Sequence, residues 1–283
     1  MILAAENLTH IYQRGTVFEK KALDGITMSV PKGAFAGVIG HTGSGKSTLI
    51  QHFNALLEPT SGKVWLDGED LFAADKKKRK RLREKVGLVF QYPEHQLFET
   101  TVQKDIAFGP QNMGLSSDEV SRRVAEALEW VGLPKEAAQL SPFELSGGQK
   151  RRAAIAGVLA MKPEVLILDE PTAGLDPRGK NEILGQIKKM HESAGNTVIL
   201  VSHGMDDVAR LADIIFVMNN GRIEFSGSPA EVFREADKLA KIGLAVPQVY
   251  LLLRELIKRG ADLPQNIFTA EAAAQAIKKL YEH

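Results

Sequence analysis

The sequence predicts an α/β protein built on a largely parallel sheet. Two observations predict this class: short runs of apolar and β-branched residues alternate with longer helical patterns, and these runs are apolar at nearly every position. Continuous apolarity is typical of parallel strands that are covered on both faces. A chain of 283 residues, of which 44% are hydrophobic and 25% charged, is also long enough to bury a sizeable core.

The core elements are predicted as five strands and a first helix. The helix covers residues 46–57, because Leu49, Phe53 and Leu56 recur there at the spacing i, i+4, i+7. One such apolar stripe allows the helix to pack against the sheet. The strands are predicted at residues 34–39, 86–90, 165–168, 197–201 and 214–218.

A helical insertion is predicted between the second and third of these strands. Residues 92–161 are too many for a single crossover, and helical patterns occur in them at 118–131 and 150–160. We therefore expect a helical subdomain in this part of the chain.

Only helical patterns follow the last strand. Ser228 and Glu231 have capping-box spacing, with Pro229 at the first helical position. Further helices are predicted at 247–259 and 269–280, and the apolar face of the first of these either completes the subunit's own core or forms an interface. The predicted division is a main domain over residues 1–227 and a C-terminal helical dimerisation extension over residues 228–283.

Composition and charge exclude several classes of protein. Thirty-six basic and 35 acidic residues leave a net charge of +1, so no bulk field recruits nucleic acid or anionic lipid. The absence of cysteine excludes disulfides and thiolate metal sites and fits a reducing compartment. The longest apolar run, residues 153–161, is far below the roughly 18 residues that span a bilayer, and the first residues lack the basic start of a secretory signal. We expect a cytoplasmic chain that does not cross a membrane.

The sequence G-H-T-G-S-G-K-S after the first predicted strand matches the phosphate-binding pattern G-x-x-x-x-G-K-[ST]. Its glycines allow successive amides to point at phosphate oxygens, and the following helix adds its positive end. Lys46 is expected to reach the β- and γ-phosphates of a nucleotide, and Ser47 to bind Mg²⁺. The predicted nucleotide-binding residues here are Gly40, His41, Thr42, Gly43, Ser44, Gly45, Lys46, Ser47 and Thr48.

Two adjacent carboxylates follow the apolar strand at residues 165–168. Open α/β sheets bind their ligands at the carboxyl ends of strands, which is where Asp169 and Glu170 stand. Asp169 is expected to hold Mg²⁺, and Glu170 to act as the general base that polarises an attacking water.

The string Leu145–Ser146–Gly147–Gly148–Gln149 has no obvious structural use beyond starting a helix. With it the chain resembles the ATP-binding subunits of ABC transporters, which implies a P-loop NTPase fold of the ABC ATPase type with a helical subdomain and a small C-terminal helical extension. The cofactors implied are ATP and Mg²⁺. In this family, Ser146, Gly147 and Gly148 would cap the γ-phosphate bound to a second subunit, so that hydrolysis requires dimerisation.

Other family motifs are found one by one. Gln91 resembles the Q-loop glutamine, which is implied to sense Mg²⁺ and the attacking water. His203 resembles the switch histidine that contacts the γ-phosphate, and Asp176, in Gly174–Leu175–Asp176, resembles the D-loop aspartate. The adenine ring is expected to stack on Tyr12, with Phe18 as the alternative aromatic.

Residues 12–23 and 90–98 resemble ATPases of energy-coupling factor (ECF) transporters, which import vitamins and transition-metal ions. The resemblance implies a second ECF-type ATPase as partner, in a heterodimer or a homodimer. It also implies a transmembrane coupling subunit that docks near residues 92–98, a substrate-binding membrane subunit, and a location at the cytoplasmic face of the cell membrane. The alternative is a soluble ABC ATPase of DNA repair or translation.

One basic run stands out from the balanced charge. Residues 75–83 hold seven basic residues in nine, for which a solvated helix or loop, nucleic acid, or membrane headgroups are the alternatives. No aromatic residue interrupts the run to offer a stacking platform, so we expect no nucleic-acid partner.

Overall fold

The computed structural model describes residues 1–264 and 266–281, and the strands there form a six-stranded and a four-stranded sheet. The predicted α/β class is confirmed. The strands are β1 (Leu3–Tyr12), β2 (Lys20–Val30), β3 (Phe35–Ile39), β4 (Ser61–Leu66), β5 (Glu69–Asp70), β6 (Val86–Val89), β7 (Val165–Asp169), β8 (Thr197–Val201), β9 (Ile214–Asn219) and β10 (Arg222–Gly227).

The larger sheet has the order β10-β9-β3-β8-β7-β6. All neighbours from β9 to β6 are parallel, and β10 adds an antiparallel edge. Every position of β3, β6, β7 and β8 is buried, which explains their uninterrupted apolar sequences. The five predicted strands are these five parallel ones, so their carboxyl ends lie along one edge of the sheet.

The smaller sheet is antiparallel and has the order β2-β1-β4-β5. Buried and partly exposed positions alternate along β1 and β2, because only one face of this sheet packs on the core. Leu49, Ile50 and Phe53 of the first helix pack between the two sheets, and a second hydrophobic core covers the opposite face of the larger sheet.

Helices surround the larger sheet. The first helix is shorter than the predicted 46–57 because Ala55 takes a left-handed φ of 52°, and Leu56, predicted on the packing stripe, is exposed. The helices are α1 (Lys46–Phe53), α2 (Lys76–Glu84), α3 (Val102–Asn112), α4 (Ser117–Trp130), α5 (Gly147–Leu159), α6 (Pro177–Ala194), α7 (Met205–Leu211), α8 (Pro229–Arg234), α9 (Ala236–Lys241), α10 (Gln248–Lys258) and α11 (Ala270–Tyr281).

The insertion between β6 and β7 contains α3, α4 and α5, which contact one another. Helix α4 matches the predicted helix at 118–131, with Ser116 as its N-cap. Helix α5 begins earlier than predicted, because Ser146 and Gln149 form a capping box that starts the helix at Gly147.

The C-terminal helices belong to two different packing units. Apolar side chains of α8 and α9, including Phe233 and Leu239, join the core of the larger sheet. Helices α10 and α11 form a separate small cluster around Leu253 and Ala273. Tyr250 of α10 and Phe268 also pack against the core of the larger sheet. The division at residue 228 and the dimerisation role of the extension stay predictions.

Helix α2 carries the basic run, which is therefore a largely exposed helix. Its Leu82 is buried against the core, Lys78 pairs with Glu69, and Arg79 donates to the Phe72 carbonyl at 2.9 Å. None of the helices in the described ranges is both long and apolar enough to cross a bilayer.

Candidate nucleotide site

The predicted site residues converge at the carboxyl edge of the larger sheet. The loop after β3, Gln91 after β6, Asp169 and Glu170 at the end of β7 and His203 after β8 border one cavity of about 310 Å³. A larger cavity of about 630 Å³ lies at the opposite edge, between residues such as Lys32 and Asn196, and contains none of them. The residues that line the smaller cavity are Tyr12, Lys20, Ala22, Thr42, Gly43, Gly45, Lys46, Ser47, Thr48, Gln91, Asp169, Glu170 and His203.

The loop between β3 and α1 is shaped by glycines, and within it the Ser44 amide donates to the His41 carbonyl at 3.1 Å. Gly43 and Gly45 have φ values of 82° and 103°, and a Cβ at Gly45 would lie 2.7 Å from the Ala22 carbonyl oxygen. Gly45 is the N-cap of α1 and offers no side-chain cap, so the first amides of the helix can bind an anion. Ser44 Oγ is buried and has no hydrogen-bond partner within the part of the chain described.

Lys46 is buried beneath this loop. Its ammonium group donates to the carbonyl oxygens of Gly40 at 2.7 Å and of His41 at 3.0 Å. Burial lowers the pKa of Lys46, and the nearby Glu170 and Asp169 carboxyl groups oppose this shift. A buried ammonium with only neutral acceptors in contact is suited to bind a phosphate anion. Gly40, His41 and Ser44 belong to the loop but do not line the cavity.

Two of the three residues predicted at the Mg²⁺ site, Ser47 and Asp169, contact each other; the third is Gln91. Ser47 Oγ donates to Asp169 Oδ2 at 3.0 Å, and burial raises the pKa of Asp169. Gln91 borders the same cavity. Within residues 1–264 and 266–281, no group of three or more His, Cys, Asp or Glu side chains could hold a metal by itself. These oxygen donors fit Mg²⁺, which uses few protein ligands and completes its shell with phosphates and water.

Glu170 has an unusual environment for a carboxylate. Its φ is 49°, in the left-handed region, and its amide donates to the Val201 carbonyl at 2.9 Å. Burial, and next the Asp169 carboxylate, raise the pKa of Glu170 to about 7. Its Oε1 is buried and makes no hydrogen bond within the described chain, although His203 Nε2 lies 3.2 Å away. Such a carboxyl group can take a proton from water near neutral pH.

Tyr12 lies beside the phosphate-binding loop, where its hydroxyl and Thr48 Oγ1 are 3.2 Å apart. The ring meets His10 edge-on at 4.5 Å between centroids. Phe18 is 75% exposed and does not line the cavity. Of the two candidate aromatics, the fold therefore brings Tyr12 to the site, and adenine stacking on it stays a prediction.

The residues implied to act on a second subunit's nucleotide lie outside the cavity. Ser146 Oγ accepts from the Gln149 amide at 3.4 Å, and Asp176 Oδ1 accepts from the Gly179 amide at 3.0 Å. Ser146, Gly147 and Asp176 are exposed at helix N-termini. Gly148 is partly exposed beside them. These residues do not border the nucleotide cavity of their own chain, as expected if they act on the nucleotide of a second subunit.

Two residues that line the cavity are absent from the sequence prediction. Lys20 and Ala22 belong to β2, which pairs with β1 and sets Lys20 opposite Tyr12, and the Ala22 carbonyl approaches Gly45. Both positions lie within residues 12–23, whose resemblance to ECF ATPases assigned no site role to them. Only pairing between strands places them there.

Comparison with known proteins gives consistent matches. The family model described as ABC transporter matches residues 23–173, which is more than half of the chain. The chain is 59% identical over 278 residues to the energy-coupling factor transporter ATP-binding protein EcfA2 of Caldanaerobacter subterraneus subsp. tengcongensis, covering 98% of this chain and 96% of that relative. It is 58% identical to EcfA2 of Clostridium acetobutylicum, covering 100% and 99% of the two chains.

Solved structures agree with these matches. A structure of cbiO1 from Clostridium perfringens, described as part of the ABC transporter complex cbiONQ, is 42% identical with a TM-score of 0.75, covering 89% of this chain and 98% of that one. The dimeric post-hydrolysis state of the ATP-binding cassette MJ0796, bound to ADP and Pi, is 29% identical with a TM-score of 0.73, covering 81% and 99%.

Proposed function

We propose a function for this chain, which belongs to the ABC transporter family and, within it, to the ATP-binding proteins of energy-coupling factor transporters. The chain is an ATPase that powers uptake of vitamins or transition-metal ions through separate membrane subunits. The observation that carries this proposal is the cavity in which the phosphate-binding loop meets Glu170 and His203, in a chain that matches its EcfA2 relatives over nearly its whole length.

Nucleotide binding exchanges internal contacts for contacts with phosphate. Lys46 leaves the Gly40 and His41 carbonyl oxygens for the β- and γ-phosphates, and the first amides of α1 donate to the same phosphate group. Tyr12 supports the adenine ring. Ser47, Asp169 and Gln91 would hold Mg²⁺, and the ion would supply positive charge that offsets the charge of the phosphates.

Hydrolysis needs a base and a group that orients the γ-phosphate. Glu170 accepts a proton from the attacking water through a carboxylate whose pKa of about 7 suits proton transfer at neutral pH. His203, at 3.2 Å from Glu170 Oε1, contacts the γ-phosphate and keeps the carboxylate beside the water.

A second ATPase completes each site. We propose a heterodimer with another ECF-type ATPase, with a homodimer as the alternative, in which Ser146, Gly147 and Gly148 of one subunit cap the γ-phosphate held by the other. Asp176 contributes from the same side of the interface. The dimeric state of the ATP-binding cassette MJ0796 supports such a pairing.

The membrane coupling subunit docks beside residues 92–98. Phe98 and Phe108 are 65% and 45% exposed and meet edge-to-face at 5.0 Å, with Tyr92 also exposed nearby in sequence. Exposed aromatics in a cluster are typical of protein interfaces. Through this subunit and a substrate-binding membrane subunit, the ATPase is held at the cytoplasmic face of the cell membrane.

Co-purification from detergent-solubilised membranes tests this function. We expect tagged protein to recover a second ATPase and at least two integral membrane proteins, identified by mass spectrometry of the intact complex. Recovery with ribosomes or DNA and without membrane proteins would instead support a soluble ABC ATPase of DNA repair or translation.

A further inference from the structure

Three segments of the chain meet at one buried guanidinium group. Arg151, on α5, is 3% exposed and donates through Nε and Nη2 to the two carboxylate oxygens of Glu94, at 2.9 and 2.6 Å. Its Nη1 donates to the carbonyl oxygen of Ala173 at 2.6 Å and lies 3.5 Å from that of Pro171. One side chain thus connects α5, the turn Pro93–Gln96 and the segment that follows Glu170.

Burial of the Arg151 guanidinium group is energetically unfavourable unless its charge and its N–H donors are paired. A buried guanidinium requires a charged partner and acceptors for its remaining donors, and removing one partner leaves an uncompensated charge. Arg151 meets both demands with one carboxylate and two backbone carbonyls. Lysine has no planar fork and cannot reach these acceptors together.

Each connected segment has a separate place in the proposed cycle. The turn Pro93–Gln96 lies in the proposed docking region for the membrane coupling subunit. The Ala173 amide donates to the Glu170 carbonyl at 3.1 Å, so the position of this segment is tied to that of the proposed base. Helix α5 begins directly after Ser146, the residue proposed to cap the partner's nucleotide.

We propose that Arg151 is a positioning residue that makes the docking turn, the segment after Glu170 and the start of α5 move as one unit. Binding of the membrane subunit to the turn Pro93–Gln96 then fixes the positions of Glu170, the general base, and of Ser146, which faces the nucleotide bound to the second ATPase. The inference rests on the proposed function and concerns regulation of the same site. Arg151 does not line the nucleotide cavity, so its effect is on rate rather than on nucleotide affinity.

The test uses the complete complex reconstituted with its membrane subunits. Variants Arg151→Lys and Glu94→Gln are compared with Arg122→Lys, a matched control. Arg122 also makes a two-pronged contact with a glutamate, Glu119, but on α4, where Arg122 is exposed and Glu119 partly exposed. For each variant we measure fluorescent-nucleotide binding, the kcat and KM of ATP hydrolysis, and substrate uptake, and hydrolysis is also measured in the ATPase pair alone.

We expect Arg151→Lys and Glu94→Gln to bind ATP like the wild type while kcat falls about 10- to 100-fold, the size of loss typical of misplaced catalytic groups. The double variant should be no slower than the slower single variant, because both changes remove one shared contact. Arg122→Lys should be unchanged.

Wild-type kcat in both single variants, loss of nucleotide binding together with hydrolysis, or additive losses in the double variant would each overturn the role of Arg151. Absence of uptake by the wild-type complex would contradict the proposed function instead, and the kcat values of the variants in that complex would still decide the inference.

Discussion

Glu170 shows at the residue scale how environment sets chemistry. The carboxylate directly follows a fully buried strand, so it loses solvation, and Asp169 adds a like charge beside it. Both effects favour the protonated form and raise its pKa to about 7. The strained left-handed backbone is of the kind that concentrates at functional sites.

Replacing Glu170 by Gln should slow ATP hydrolysis by about 10²- to 10⁴-fold, because the amide cannot accept the proton of the attacking water. Nucleotide affinity should persist, since Lys46 and the loop amides are untouched. Steady-state hydrolysis and equilibrium binding measure the two effects. Glu164→Gln, at the start of the same strand and paired with Lys85, is the control and should hydrolyse normally. Near-normal turnover by the Glu170 variant would remove it from the role of base.

The pH dependence of kcat/KM should report the raised pKa of Glu170. The base acts only when ionised, so kcat/KM should increase with pH up to about 7 and level off above it. Below this value it should fall about tenfold per pH unit, following the ionised fraction. Rates measured from pH 5 to 9 give the profile. An increase of kcat/KM centred near pH 4.5, the ordinary pKa of glutamate, would contradict the assignment of Glu170 as the base.

At the scale of elements, helix N-termini combine structural and functional roles. Ser146 and Ser228 are both N-caps in complete capping boxes, of α5 and α8 respectively. The cap satisfies amides that the helix itself leaves unpaired. These contacts give Ser146 a structural role as a helix cap. An experiment has to distinguish that role from the proposed role across an interface.

Two variants, Ser146→Ala and Ser228→Ala, distinguish the capping role from the proposed role across the interface. Each change should lower the free energy of unfolding by about 1 kcal/mol, because one cap is lost. Only Ser146→Ala should also reduce hydrolysis by the assembled ATPase pair. Denaturant unfolding and ATPase assays test both statements, and equal hydrolysis in the two variants would mean that Ser146 acts as a cap alone.

At the scale of the whole molecule, α10 and α11 form a small apolar cluster, and Tyr250 of α10 also packs against the core of the larger sheet. Leu253 points into the cluster, whereas Leu251 and Leu252 are 48% and 53% exposed. The apolar face predicted from sequence comprises Val249, Leu252, Leu253, Leu256 and Ile257, and all of these except Leu252 pack in the cluster. Leu251, outside the predicted face, forms an exposed strip with Leu252. This strip offers an apolar surface for the proposed dimer contact.

Replacing Leu251 and Leu252 together by Asp should weaken association of the two ATPase subunits while leaving the free energy of unfolding nearly unchanged, because exposed positions contribute little to folding. Sedimentation analysis of the purified pair measures association. Leu56→Asp, at an exposed leucine after α1, is the control and should pair normally. Unaltered association in the double variant would exclude this strip as a dimer contact.

The buried parallel strands and the phosphate-binding loop could be predicted because their signals are local. An apolar run that delivers Asp169 and Glu170, or a glycine-rich loop before Lys46, is complete within a few residues. The antiparallel sheet was harder to predict, because its strands bury one face and their polar positions blur the pattern. Helix α3 was missed because Gly109 and Pro110 interrupt its helical signal.

The sequence by itself determined the parallel α/β core, the phosphate-binding loop and the carboxylates that follow β7, since each depends on residues that are neighbours in the chain. Tertiary structure alone decided that Ala22 closes against Gly45, that Tyr12 rather than Phe18 reaches the cavity, and that Arg151 joins Glu94 to the segment after Glu170. These contacts connect distant parts of the chain, and strand pairing and burial, which local sequence does not encode, bring them together.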